Sequence, residues 1–239
     1  MEREKREFLY HRPMKILALV AGTNDPSNTD VLCEAFLKGI RSAFPDVEIT
    51  KFRLKDMQIK HFTLEDYHPH CTSEDDFCRL QEEVISADGL VFATPIWNFS
   101  VPAHLKNVID RMGAFCLDEE TRTKGKLPGT PAFFLYTGGA SLPLWKGLMR
   151  FTTSHLPEAL RYYGATVIGR YFAGRCTQAK GTFGLVLDRR PGTLRAAQAK
   201  GESFAAIVHR YTKTKALPFR FILIGKVYQC IQRVVAKIL

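Results

Sequence analysis

The sequence predicts a doubly wound α/β domain built on a parallel sheet of five strands. Five apolar or alternating segments of strand length are separated by segments with helical periodicity, and this alternation is typical of the fold class. The first segment, 14–21, is almost continuously apolar, as expected for a parallel strand covered on both faces. The 239 residues, 46% of them hydrophobic, suffice for one large domain with a substantial core.

Periodicity and capping residues predict the order of the elements. Strands are expected over 14–21, 47–54, 89–94, 132–137 and 166–172. Asn28 or Thr29 can cap the first helix, and further helices are expected over 73–87, 103–115, 144–163 and 193–211. The polar segments between them, 55–73, 121–129 and 174–191, are predicted as connections. We therefore expect a domain over 14–214, followed by a basic amphipathic helix over 215–239.

The charge distribution restricts the partners. The chain carries a net charge of +10, and no acidic residue follows Glu202. Such a charge suits nucleic acid, an anionic membrane surface or phosphorylated ligands. Because no nucleic-acid recognition motif is present, we expect no nucleic acid among the partners. The apolar and basic segment 217–239 is typical of a helix that contacts a membrane surface or a protein; packing on its own domain or across a dimer is the other interpretation.

The beginning of the chain and the cysteines favour a cytoplasmic protein, with segment 217–239 as a peripheral membrane contact. Residues 1–12 are charged and lack the apolar core of a signal peptide, and no run of about twenty apolar residues is long enough to span a membrane. Six cysteines are scattered without a CxxC pair, which predicts reduced thiols. His68, His70 and Cys71 lie close together without a second cluster of ligands, so we predict no metal site.

Three polar or glycine-rich loops follow strands and are expected at the same edge of the sheet, where such folds bind ligands. The first offers Thr23, Ser27, Asn28 and Thr29 at the beginning of a helix, whose unbonded N–H groups suit a phosphate; an ordinary capped turn is the simpler interpretation.

The second loop, Pro95 to Ser100, presents Trp97 and Phe99 as flat surfaces for an aromatic ligand, with Asn98 as a hydrogen-bonding group; the alternative is that both rings belong to the core. The third, Thr137 to Ser141, contains Gly138 and Gly139, whose backbone N–H groups can approach a ligand closely.

With these motifs the sequence resembles the NADPH-dependent FMN reductase family of flavodoxin-like proteins, within the quinone and azo-dye reductases. The resemblance covers 14–211 and depends on segments 21–29, 87–92, 94–102 and 105–111. It implies a sheet of order 2-1-3-4-5, bound FMN, and a homodimer with the flavin near the interface. The implied contacts are Thr23, Ser27, Asn28 and Thr29 with the phosphate, Pro95, Ile96, Trp97, Asn98 and Phe99 with the ring, and Thr137, Gly138 and Gly139 with its pyrimidine side.

The chain departs from the family at two places. Asp25 lies in the phosphate loop, where many relatives carry a basic residue, and a carboxylate beside a phosphate is unfavourable unless it bonds elsewhere. Some relatives bind an iron–sulfur cluster between the second strand and its helix. Cys71 and Cys78 are too few for four-thiolate ligation, so we predict no cluster.

The resemblance implies an FMN-dependent NAD(P)H oxidoreductase that reduces a small molecule such as a quinone, an azo compound or a flavin. The alternative is an FMN-bearing electron carrier or regulatory protein that acts through a partner without NAD(P)H. Tyr136 and His155 could donate a proton, but core or surface roles are favoured for both, and no catalytic residue is assigned.

Overall fold

The computed structural model describes residues 12–219 except 69, 72–73 and 180–181, together with 221–223, 227 and 230. One parallel sheet has the order β2–β1–β3–β4–β5, formed by β1 Lys15–Val20, β2 Glu48–Arg53, β3 Gly89–Pro95, β4 Pro131–Thr137 and β5 Thr166–Ala173. The principal helices are α1 Asn28–Ala43, α2 Phe77–Ser86, α3 Ala103–Cys116, α4 His155–Tyr162 and α5 Pro191–Thr214. The predicted fold class and the implied strand order are confirmed.

Helices cover both faces of the sheet, and each face has its own core. Apolar side chains of α2, α3 and α4 pack on one face, and those of α1 and α5 on the other. β3 and β4, in the middle of the sheet, are buried at every residue, which explains their unbroken apolar sequences. α1 and α5 approach closely at Gly39 and Gly201, where an added Cβ would lie 2.0 Å from a backbone oxygen of the other helix.

The prediction of one continuous helix over 144–163 is wrong. The chain forms a short α-turn at Leu142–Leu144, a π-turn at Trp145–Met149 and a 3-10 turn at Phe151–Thr153 before α4 begins. Trp145, Thr153 and Leu156 are buried along this segment. Trp145 stacks on Phe172 with ring centroids 4.8 Å apart. Tertiary packing of the indole ring therefore overrides regular helix geometry.

The segment before α2 also differs from the prediction. The helix begins at Phe77, and the predicted first residue, Ser73, lies outside the described residues. Asp75 forms a buried ion pair with Arg111 of α3 and accepts a hydrogen bond from Lys60 N at 2.8 Å. Asp76 accepts one from Gln58 N at 2.7 Å. These acids therefore fix the preceding loop, where the sequence suggested the first turn of a helix.

The prediction of reduced cysteines is wrong for one pair. Cys71 and Cys78 form a disulfide, with Cα atoms 5.3 Å apart. Segment 54–76 folds back on the start of α2, which brings these two residues together, and sequence spacing alone does not reveal this contact. Cys33, Cys116, Cys176 and Cys230 are free thiols.

The predicted helix over 215–239 lies largely outside the described residues. Phe219 and residues 221–223 are helical, and Leu217 and Phe221 are buried against Tyr211 of α5. Within the described part of the chain, no helix is both long and apolar enough to cross a membrane.

Candidate functional site

One cleft lies at the carboxyl ends of β1, β3, β4 and β5, between the loops that follow them. The loop after β1 contributes Gly22, Thr23, Asn24, Ser27, Asn28 and Thr29, and the loop after β3 contributes Pro95, Ile96 and Trp97. Thr137, Gly138 and Gly139 follow β4, and Cys176, Thr177, Phe183 and Gly184 follow β5. We call this group of residues the cleft. It brings together every sequence-predicted site residue except Asn98 and Phe99, which lie at the tip of the β3 loop.

The loop after β1 ends at the N-terminus of α1, which is capped by a side chain. Ser27, rather than Asn28 or Thr29, is the N-cap of α1, and its hydroxyl accepts a hydrogen bond from Asp30 N at 3.3 Å. A Cβ on Gly22 would lie 2.3 Å from Ser27 Oγ, so any other residue there would displace the capping hydroxyl. Within the described residues, the N–H groups of Thr23, Asn28 and Thr29 donate to no protein acceptor. An anion at this helix end would meet unbonded donors and the positive end of the helix dipole.

Asp25 in this loop is paired with two cations from the end of β2. Its Oδ2 lies 2.9 Å from Lys55 Nζ and 3.1 Å from Arg53 Nη2. These bonds, the one from Lys55 first, lower the pKa of the Asp25 carboxyl below its usual value. Arg53 Nε also lies 3.5 Å from Asp56 Oδ2, so two cations face two carboxylates in this group. The unfavourable carboxylate identified in the sequence is therefore neutralised by residues about thirty positions further along the chain.

The loop after β3 is a tight hairpin that presents aromatic rings to solvent. Trp97 and Ser100 exchange both backbone hydrogen bonds, at 2.9 and 2.8 Å. Asn98 and Phe99 between them have φ angles of 48° and 62°, a left-handed conformation that is unusual for phenylalanine. Trp97 is 43% exposed and Phe99 67% exposed. The interpretation of these rings as core residues is therefore wrong.

The loop after β4 supplies fewer free donors than predicted. Gly138 N donates to Ala173 O at 3.2 Å, and Gly138 O accepts from Cys176 N at 2.9 Å. Within the described residues, Gly139 N makes no backbone hydrogen bond and is a donor that the cleft lining leaves for a ligand. The hydroxyls of Thr137 and Thr29 lie 2.7 Å apart and form one buried hydrogen bond, which joins the β4 end to the first turn of α1.

The segment after β5 was missed by the sequence analysis. Its described residues Cys176, Thr177, Phe183 and Gly184 line the cleft. Its one available signal was a phenylalanine next to a glycine in a polar loop, which by itself is unspecific. Asn28 joins this segment to α1, since its side chain bonds Gly184 O at 2.7 Å, Val186 N at 2.9 Å and Leu187 N at 3.0 Å.

The other candidate side chains lie elsewhere. Tyr136 is fully buried, stacks with Phe134, and has a pKa raised by burial, so it belongs to the core. His155 is half-buried, with Nδ1 3.0 Å from Thr152 O. His68 and His70 bond each other through backbone and ring atoms at 3.2 Å. No group of three metal-ligating side chains is found within the described residues.

His104 contacts the start of the loop after β1 but does not line the cleft. Its Nε2 is 3.2 Å from Ala21 O, and burial lowers the pKa of the ring below its usual value. The neutral imidazole is therefore favoured at this position. The sequence analysis did not single out this residue.

Comparisons with known proteins agree with this arrangement. The family described as NADPH-dependent FMN reductase matches residues 14–178. The chain is 30% identical over 109 residues to an FMN-dependent NADH:quinone oxidoreductase of Gluconacetobacter diazotrophicus, covering 41% of this chain and 54% of that one. It is 30% identical over 132 residues to FMN-dependent NADH:quinone oxidoreductase 9 of Burkholderia lata, covering 48% and 62%. The chain thus spans just over half the length of these relatives.

A solved structure shares the fold at lower sequence identity. The NAD(P)H:quinone oxidoreductase from Methanothermobacter marburgensis superposes with a TM-score of 0.64 at 19% identity. The superposition covers 80% of this chain and 96% of that one. At this identity the likeness supports the fold alone.

Proposed function

The chain belongs to the NADPH-dependent FMN reductase family, and on that premise we propose that it is an FMN-dependent NAD(P)H oxidoreductase that reduces a small acceptor such as a quinone, an azo compound or a flavin. One observation carries the proposal. Loops that are far apart in the chain form a single cleft with an anion-binding helix end, exposed aromatic surface and a free backbone donor. Such a combination matches the chemistry of a flavin nucleotide.

The residues present fit FMN part by part. Thr23, Ser27, Thr29 and the free N–H groups at the start of α1 would hold the phosphate. Pro95, Ile96 and Trp97 would line the ring, with Asn98 and Phe99 beside it, while Thr137, Gly138 and Gly139 would border the pyrimidine side. FMN itself supplies the redox chemistry when bound, accepting a hydride and passing electrons to the acceptor. The protein then needs to bind and orient the reactants, which agrees with the burial of Tyr136 away from solvent.

Anaerobic visible absorbance tests the proposal. Purified protein reconstituted with FMN is expected to retain the flavin on gel filtration and to bleach when NADPH is added. Protein that stays yellow with both NADPH and NADH would instead support the electron-carrier or regulatory alternative. Protein that retains no FMN would overturn the cofactor assignment.

We also propose that the protein is a cytoplasmic homodimer. Segment 142–151, which follows the cleft loop after β4, exposes Leu142, Leu144, Leu148 and Phe151. Four exposed large apolar side chains within ten residues are typical of a protein contact. Light scattering after gel filtration is expected to give twice the mass of the chain, and Leu148→Glu is expected to yield monomers. A wild-type protein of single-chain mass would contradict the proposal.

We further propose that the terminal segment contacts an anionic membrane. Among its described residues, Phe219, Ile222, Leu223 and Val227 are exposed and follow helical spacing, while Leu217 and Phe221 face the domain. The absence of acidic residues after Glu202 favours a negatively charged surface. Flotation with phosphatidylserine vesicles is expected to carry the wild type but not Phe219→Glu/Leu223→Glu. Equal flotation of both proteins, or none of the wild type, would leave the segment as a protein contact or an internal packing element.

A further inference from the structure

Phe183 is an exposed ring in a segment that is fixed from one side by Asn28. Asn28 Oδ1 accepts hydrogen bonds from Val186 N and Leu187 N, and Nδ2 donates to Gly184 O. One side chain thus makes three bonds to the backbone immediately after Phe183. Both acceptor positions of the amide oxygen are occupied, and one N–H of the amide nitrogen remains.

The same segment is fixed from its other side by Gln178. Gln178 N donates to Thr182 O at 3.0 Å, and Thr182 N donates to Ala179 O at 3.0 Å. Gln178 Nε2 lies 3.4 Å from Leu185 O. Phe183 is therefore held between two bonded points of the backbone, which restricts the positions its ring can reach.

The ring nevertheless stays largely in solvent. Phe183 is 71% exposed, and it lines both the cleft and a neighbouring hollow formed by residues 24–26, 178, 184–185 and 188–189. A phenylalanine gains stability mainly by burial, so a fixed backbone that keeps the ring exposed contributes little to the fold. The position of the ring between two cavities instead suits a bound molecule, which would supply the missing contact.

We propose that Asn28 is a positioning residue that holds Phe183 over the cleft, and that Phe183 slows the release of the bound flavin by covering it. This inference rests on the proposed function, because it assigns both residues a role toward FMN. It also replaces the role implied for the Asn28 side chain by family resemblance, since that amide bonds segment 184–187 and acts on the flavin through Phe183.

Rates of flavin release distinguish the two roles of Asn28. In the proposal, Phe183 covers the part of the flavin that FMN and riboflavin share. Asn28→Ala and Phe183→Ala are therefore each expected to speed the release of FMN about tenfold, and that of riboflavin by the same factor. The double variant is expected to release flavin no faster than either single variant, because both changes remove the same cover. If Asn28 bound the phosphate directly, Asn28→Ala would affect FMN but not riboflavin, and its effect would multiply with that of Phe183→Ala.

Two matched variants serve as controls. Asn107→Ala removes an amide that fixes another loop, through Phe62 N at 2.7 Å and Lys60 O at 2.9 Å. Phe219→Ala removes a ring that is 77% exposed and lies outside both the cleft lining and segment 142–151. Both are expected to release FMN at the wild-type rate. Release from Phe183→Ala as slow as from Phe219→Ala would overturn the proposal.

Hydrogen exchange separates this proposal from the function on which it rests. Asn28→Ala is expected to accelerate exchange at the Val186 and Leu187 amides in flavin-free protein, whereas Phe183→Ala leaves them protected. Unchanged protection in Asn28→Ala would contradict the positioning role. A wild type that binds neither FMN nor riboflavin would contradict the proposed function, while the exchange result would still report on the Asn28 contact.

Discussion

Asn28 and Asn107 each fix a loop with one amide side chain, yet the two loops differ in what they leave exposed. Asn107 bonds the backbone at Lys60 and Phe62, and the Phe62 ring is half-buried with an edge-to-face contact to Tyr67 at 5.8 Å. Asn28 bonds the backbone beside Phe183, whose ring remains in solvent. The same kind of side chain therefore fixes a loop whose ring packs on the protein in one region and a loop whose ring stays exposed beside the cleft in the other.

In the loop over 54–76, which Asn107 helps to fix, polar and charged groups bond to partners within the protein. The buried Arg111–Asp75 ion pair, the bonds from Gln58 N and Lys60 N to carboxylates, and the Cys71–Cys78 disulfide all connect it to α2 and α3. Within the described residues, the cleft loops instead leave backbone donors unbonded and aromatic rings partly exposed. Groups left in this way predict where a ligand binds.

The largest effect is expected in the loop region. Arg111→Met leaves the Asp75 carboxylate buried at 3% exposure without its cation, and breaking a buried pair costs about 3–5 kcal/mol. Urea unfolding should show this loss, while FMN affinity of the folded protein stays unchanged. Lys106→Ala breaks an exposed pair with Asp110 and serves as the control, with a loss below about 0.5 kcal/mol. Equal losses of unfolding free energy in Arg111→Met and Lys106→Ala would contradict the view that the buried ion pair stabilises this loop.

A change at Gly22 is expected to damage the cleft more than the fold. Gly22→Ala forces Ser27 Oγ away from a Cβ at 2.3 Å and disturbs the α1 cap, which costs about 1 kcal/mol. Because the N–H groups that would bind phosphate move with the cap, FMN affinity should fall about tenfold or more. Fluorescence titration and thermal unfolding measure the two effects. Gly192→Ala, where the added Cβ meets nothing within 4 Å and which lies outside both the cleft and segment 142–151, should leave FMN affinity unchanged. Unchanged FMN affinity in Gly22→Ala would contradict the assigned phosphate site.

Phe99 offers a change that stabilises the protein and weakens the site. Phe99→Gly relieves a left-handed φ of 62°, so the free energy of unfolding should rise by about 1 kcal/mol. Flavin affinity or turnover should fall, because an aromatic surface beside the cleft is lost. Lys215→Gly relieves a φ of 52° at the end of α5 and should stabilise the protein without affecting flavin. A Phe99→Gly protein with full affinity and turnover would show that the strain serves no ligand.

The smallest effect is expected at Asp25. Asp25→Asn removes a carboxylate from the phosphate loop and leaves Lys55 without this partner, while Arg53 keeps its pair with Asp56, so FMN affinity should rise a few-fold at low salt and converge with the wild type at high salt. Isothermal titration at two ionic strengths measures it. Glu119→Gln, which removes a carboxylate paired with Lys126 elsewhere, is the control. Weaker FMN binding by Asp25→Asn would mean that the ion pairs are needed to shape the loop.

The sequence predicted the elements that local pattern decides. Apolar or alternating segments placed all five strands within one residue of their ends, and family resemblance implied their order. It did not predict the broken helical segment 142–153, because that geometry follows from the contact of Trp145 with Phe172 across the sheet edge. Nor did spacing reveal the Cys71–Cys78 bond, which depends on how a loop folds back.

For the site, the sequence by itself determined which strand ends carry glycine, hydroxyl and aromatic residues, since these choices are local and each loop must follow its own strand. Only the tertiary structure decided how the groups are used. It paired Asp25 with Arg53 and Lys55, engaged the Gly138 N–H with Ala173, and turned Asn28 toward the segment that carries Phe183. The reason is physical: a donor, an acceptor or a charge is satisfied by whichever partner lies nearest in space, and these partners are up to about 160 residues away along the chain.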